Sequence, residues 1–279
     1  MAGGLLEYSG LVTKTRAMKE RLLGREDFER ISEFQTVEET ICFLREQESY
    51  GRIYGGHEEI QHRGQVEALI HHSIQEDYRK LYRFANANQR RALKLFFEQF
   101  RLEDPALAIE TSYFARVWKE IDTFPDRRTR YVLREVFGTQ SDWLNIMWIY
   151  RGKQFFHQNP QELSKMLIPV RYKLKKETFC QLLEAEQTED FPGILAKTAY
   201  FFGREALVKL QDEISYRNVM EKMYARLCKK YPSSMAPIYF YFYQKDQEIQ
   251  NLTAALEGIR YQLPAKDIRE LILPNALGK

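Results

Sequence analysis

Cysteine is scarce in this sequence of 279 residues, occurring only as Cys42, Cys180 and Cys228. The three lie far apart and never form a CxxC pair, which argues against a disulfide framework and a structural zinc site and fits a reducing compartment. Cys180 and Cys228 fall on apolar helical faces with no histidine beside them in sequence, so they read as small buried hydrophobes rather than nucleophiles. Long apolar runs are also missing. The richest, Trp143 to Tyr150, is interrupted well short of the roughly 20 residues that a spanning helix needs. The opening residues MAGGLLEYSGLVTKTR carry too short an apolar stretch for a secretory signal. The expectation is a soluble chain whose membrane role is at most peripheral. Charge excess is lacking too: 42 Lys and Arg against 39 Asp and Glu leave a net +3, too weak an overall field to point to nucleic acid or an anionic membrane.

Motifs that carry chemistry are equally absent. No GxxxxGK[ST] occurs, and Gly3-Gly4 and Gly55-Gly56 lack the strand before and helix after that a phosphate cradle needs, so no direct nucleotide binding is expected. The histidines are His57, His62, His71, His72 and His157. His71 and His72 are helix neighbours pointing about 100° apart, which cannot share a metal, so neither metal nor cofactor is expected. There is no HD pair, DDxxD or HExxH, and nothing pairs Asp142 or Glu248 with a nucleophile. These carboxylates read as solvated or lobe-bridging charges, and the chain as a non-enzyme. The aromatic run Tyr239 to Tyr243 lacks the interleaved cations of a nucleic-acid stacking platform and reads as core.

Amphipathic helix, by contrast, is everywhere. Apolar residues recur at three- and four-residue spacing, as in Leu69, Ile70, Ile74, Tyr78, Leu81 and Tyr82, or Ile214, Val219, Met223 and Leu227. Alternating strand patterns are missing, so the fold class is all-α. Helix breaks are expected at Tyr54-Gly55-Gly56, Phe124-Pro125-Asp126, Asn159-Pro160, Pro192-Gly193, Tyr231 to Ser234 and Leu263-Pro264.

The chain also resembles itself. An offset of 146 matches Tyr78 with Tyr224, Leu81 with Leu227, Phe96 with Phe242 and Phe97 with Tyr243; an offset of 151 sets Phe28, Ile31 and Leu44 opposite Phe179, Leu182 and Leu195. A third pairing sets Asp142 to Ile146 against Glu248 to Leu252. In both copies an Asn (Asn145, Asn251) is followed seven residues on by Gly (Gly152, Gly258). An acidic-apolar pair (Glu162-Leu163, Asp267-Ile268) then precedes an apolar run ending in Pro169 or Pro274. Apolar periodicity does not predict matched Asn, Gly and Pro positions, so about three related helical lobes are expected, the middle one shortened. The fixed period of tetratricopeptide repeats is missing, and basic residues are too evenly balanced for a DNA-recognition helix. Asn145 and Asn251 read as lobe-packing residues, since Asn is a poor interior helix former whose amide can bond between helices. Gly152 and Gly258 read as helix ends or close helix contacts.

The stretch from Tyr243 through Lys245, Glu248, Ile249, Asn251 and Leu252, followed by Gly258-Ile259-Arg260 and Pro264 to Arg269, is similar to the closing signature of one family, the C subunit of rotary V/A-type ATPases (subunit d in eukaryotic V-ATPases). Asp142, Asn145, Ile146, Arg151 and Gly152 resemble the same element in an internal copy. Two departures stand out: Asp104-Pro105 where the first copy should carry Asn, and a middle lobe without its front portion. The resemblance implies a funnel of three lobes, 1–120, 121–172 and 173–279, without cofactor or catalytic residues. Its partners would be the rotor shaft subunits D and F and the membrane c-ring. It would lie on the cytoplasmic face of the membrane within an ATP-driven proton- or sodium-transporting machine. The residues it singles out, as structural or interface positions, are Asp142, Asn145, Arg151, Gly152, Lys245, Glu248, Asn251, Gly258 and Arg260.

Overall fold

The computed structural model describes residues 2–51, 63–101, 107–200 and 213–272. Among them it is all-α, without strands, as the periodicity predicts. The helices are α1 Ala2–Lys19, α2 Arg25–Ile31, α3 Val37–Glu46, α4 Arg63–Phe84, α5 Ala87–Phe97, α6 Leu107–Ile121 and α7 Arg127–Phe156. They continue with α8 Pro160–Met166, α9 Lys176–Glu184, α10 Phe191–Leu195, α11 Glu213–Lys230, α12 Ala236–Arg260 and α13 Ala265–Leu271.

Local chemistry sets the ends. Thr36 and Glu39 form a capping box at α3, and Asn159 with Glu162 does the same at α8, where Pro160 supplies a pre-set first-turn φ. Asp126 caps α7 by accepting the Thr129 N–H at 2.7 Å. The breaks at Phe124 to Asp126, Asn159-Pro160, Tyr231 to Ser234 and Leu263-Pro264 therefore separate helices as expected. Pro192-Gly193 does not: both residues lie within α10, where proline in the first turn starts a helix instead of ending one. The expected break at Tyr54 to Gly56, the Asp104-Pro105 departure, His57, His62 and Pro274 lie outside the described residues.

Packing divides the chain into two compact units. The first joins the chain's two ends, Met1–Ala87 with Pro237–Lys279; the second is Asn88–Ala236. The first unit closes around Leu11, Phe28, Ile31, Leu44, Ile70, Leu81, Phe242, Leu252 and Ile268. In the second, one face of α7 (Trp143, Ile146, Ile149, Tyr150) packs on Leu163, Leu174, Leu182, Phe191, Leu195 and Val219. Each such side chain contributes about 1.5–3 kcal/mol by leaving water. The aromatic run Tyr239 to Tyr243 lies in α12; Tyr239, Tyr241 and Phe242 are buried in the core. Cys180 and Cys228 differ from expectation: they are half-buried, because they stand where their helix faces turn from core to solvent.

Candidate functional site

Between α8 and α9 the second unit runs without helix over Leu167 to Lys175. A backbone bent in this way has N–H groups that no helix ladder satisfies. Asp142, fully buried in the middle of α7, satisfies three in a row. Its carboxylate accepts the N–H of Tyr172 at 2.9 Å, of Lys173 at 2.6 Å and of Leu174 at 2.9 Å, and the Tyr200 hydroxyl at 2.6 Å. Burial pushes the Asp142 carboxyl above its ordinary range, against the pull of these four donors. Burial, and next the adjacent Asp142, push the Tyr200 phenol far up, so it stays a donor.

One turn further, the Asn145 amide clamps a single residue from both sides. Its Nδ2 donates to the Ile168 carbonyl at 3.0 Å, and its Oδ1 accepts the Ile168 N–H at 2.8 Å. Two turns beyond that, Gly152 lets α8 close in: a Cβ there would overlap the Leu163 side chain. Gly138, two turns before Asn145, likewise makes room for the Tyr172 ring. The face of α7 bearing residues 138, 142, 145 and 152 is thus a seat for the returning chain.

The first unit builds the same seat on α12. Glu248, 106 residues after Asp142, is buried and accepts the Leu23 N–H at 2.5 Å, the Tyr50 hydroxyl at 2.6 Å and the Lys245 ammonium at 2.5 Å. Lys245 is itself fully buried, donates to Tyr50 Oη at 2.9 Å and lies 4.0 Å from the centre of that ring. A Cβ on Gly258 would come within 2.8 Å of Ile268, the residue that answers Leu163. Asn251 is buried at the place that answers Asn145. Leu23 answers Leu174, at the offset of 151, and Tyr50 answers Tyr200 at 150.

Seven of the nine signature positions are therefore interior: Asp142, Asn145 and Gly152 in one unit, Lys245, Glu248, Asn251 and Gly258 in the other. Asp142 and Glu248 are not solvated: each is buried within its own unit, and each takes donors from another of the expected lobes, Asp142 from Lys173, Leu174 and Tyr200 and Glu248 from Leu23 and Tyr50. Arg151 is half-buried without a hydrogen-bond or ion-pair partner among the described residues, and Arg260 is exposed beside the Tyr261 ring. Sequence reading missed the donors Leu23, Tyr50, Tyr172 and Tyr200, although the offset of 151 sets Leu23 opposite Leu174 and a shift by one residue to 150 sets Tyr50 opposite Tyr200. It also missed Glu135. That buried carboxylate accepts the Tyr172 hydroxyl and the Lys173 ammonium, both at 2.7 Å, with Arg226 at 3.2 Å. Burial alone would raise it, but Lys173, Tyr172 and Arg226 together hold it below the usual carboxylate range.

The family model of the ATP synthase (C/AC39) subunit matches residues 11–110 and 101–271. The chain belongs to this family. It is a C/AC39 subunit of the V/A-type ATP synthases, whose complex as a whole carries out ion transport. No curated protein sequence matches it. The second matched segment contains both seats' acceptor helices, α7 and α12. Among the described residues no helix is long and apolar enough to cross a membrane, and no cluster of three His, Cys, Asp or Glu could hold a metal.

Proposed function

We propose that this C/AC39 subunit is the non-catalytic socket of the central stalk, joining the D–F rotor shaft to the membrane c-ring on the cytoplasmic face. In this reading the chain forms three related lobes, divided near residues 120 and 172 with the middle one short, set as a funnel that grips the shaft and rides on the ring. The observation that carries it is the family match over nearly the whole chain. The buried braces support it. Moving one charge against 100 mV takes about 2.3 kcal/mol, so a few ions per ATP load the joint with about 10 kcal/mol. A part that transmits such a load benefits from returning segments fastened by several buried hydrogen bonds at once.

Interfaces of standard size, about 1,200–2,000 Å², on both shaft and ring would hold against that torque. The test is removal. Membranes whose complex lacks this chain should lose ATP-driven ion pumping while the detached soluble head still hydrolyses ATP, and the purified chain should co-elute with a D–F heterodimer. Vesicles without the subunit that pump at normal rates would overturn the reading.

A further inference from the structure

The end of α7 carries an apolar tip that packing inside the second unit does not use. Phe155 and Phe156, on its last turn, are 57% and 72% exposed, and Met166 on α8 is 36% exposed. The corresponding places in the first unit are built alike. Tyr261, 106 residues after Phe155, is 62% exposed, and Leu271, 105 after Met166, is 47% exposed; their neighbours Leu163, Leu167, Ile268 and Ile272 are all buried. With Leu263, these segments hold six of the seven large hydrophobics that stand exposed among the described side chains.

In the second unit this tip is also cationic. Arg151 stands one turn before Phe155 on the same side of α7, and Lys165 precedes Met166; neither has an ion-pair partner among the described residues. Lys153, on the Phe156 side, donates to the Ala185 carbonyl at 2.7 Å, next to the exposed Glu184 and Glu186. Between Asp142 and Glu177 the one acid is Glu162, and it is engaged in the α8 cap, accepting the Asn159 N–H at 3.1 Å. The chain's net charge offers no attraction to an anionic surface, but this corner does.

We propose that the tip inserts shallowly into an anionic lipid surface, with Phe155, Phe156 and Met166 as apolar anchors and Arg151 and Lys165 pairing with lipid phosphates. The two neighbouring rings project from a helix end, on either side of the Gly152 face that Leu163 fills. They suit a soft apolar phase, and cations at the rim of such a tip suit the headgroups. The inference does not rest on the socket reading.

Flotation of the full chain with vesicles of phosphatidylcholine, with and without phosphatidylglycerol, tests it. Binding is expected only with phosphatidylglycerol and should weaken with salt. Phe155→Ser with Phe156→Ser should lower the partition by about tenfold or more. Arg151→Gln with Lys165→Gln should lower it by about fivefold per charge removed. All four side chains lie outside the core, so both variants should melt as the parent does, and the charge variant stands as a second reading should the phenylalanine pair disturb the helix end. Absence of binding, or binding that neither variant changes, would overturn the proposal. So would a phenylalanine variant that binds vesicles normally yet loses retention on purified c-ring, which would make the tip a protein contact.

Discussion

The two units fasten their returning chain with the same part in the same place, yet with different donors. On α7 the acceptor is Asp142, and three successive backbone N–H groups converge on it with the Tyr200 hydroxyl. On α12 it is Glu248, which takes one backbone N–H, the Tyr50 hydroxyl and a fully buried lysine. At the place that Lys245 occupies, three residues before the carboxylate, the second unit has the buried Thr139. The shorter Asp reaches a backbone drawn up close, whereas the longer Glu meets fewer amides and is balanced by a cation instead. A buried carboxylate needs several donors, and which ones is open to substitution as long as their number and charge suffice.

The comparison breaks most sharply at the acceptor. Asp142→Ala leaves three N–H groups, one buried and two part-buried, and a buried tyrosine hydroxyl without a partner and should destabilise the chain by about 3–5 kcal/mol, read from urea melts. Little loss there would mean that the amides find other acceptors and that the brace is incidental. Lys245→Met should lower stability by about 3 kcal/mol by leaving Glu248 short of a counter-charge, and Glu248→Gln in the same chain should restore part of it. Additive effects in that double-mutant cycle would show that the lysine and carboxylate are not coupled.

Smaller changes sharpen the likeness. Gly152→Ala and Gly258→Ala drive a methyl into Leu163 and Ile268 and should each destabilise by about 1–3 kcal/mol, less the gain in helix propensity. Gly152 should be the worse, since its added Cβ would also meet Gln158. A thermal melt in which either variant is more stable than the parent would refute the close seat. The least effect is expected from pH. The folded pKa of Glu135 lies below its unfolded value, so it adds stability that is complete above the unfolded pKa of about 4.3 and fades as pH falls through the folded one. Glu135→Gln should therefore flatten the acid limb of the stability–pH curve, and an unchanged limb would count against the Lys173, Tyr172 and Arg226 network.

Much of this was legible beforehand, for definable reasons. The all-α class follows from a 3.6-residue period kept along nearly the whole chain, and most helix ends from Asp126, Asn159-Pro160 and Pro264, whose effects are local. The family signature could be read at Asp142, Asn145, Glu248, Asn251 and the two glycines, because Asn and Gly are poor interior helix residues and must be there for some other reason. Their partners could not be read. Leu23 and Tyr50 lie some 200 residues from Glu248, and Tyr200 is 58 from Asp142. Nothing local in a tyrosine says that its hydroxyl will meet a buried carboxylate, since only the folded chain brings the two together. The same holds for the chain's two ends, which meet in one unit. Sequence by itself determined the helical class, most of the helix ends and the membership of the family, all of which depend on short-range propensity and local pattern. Tertiary structure alone decided which groups meet at the seven interior signature residues, and that Asp142 and Glu248 are buried acceptors, because burial depends on what arrives from elsewhere in the chain to exclude water.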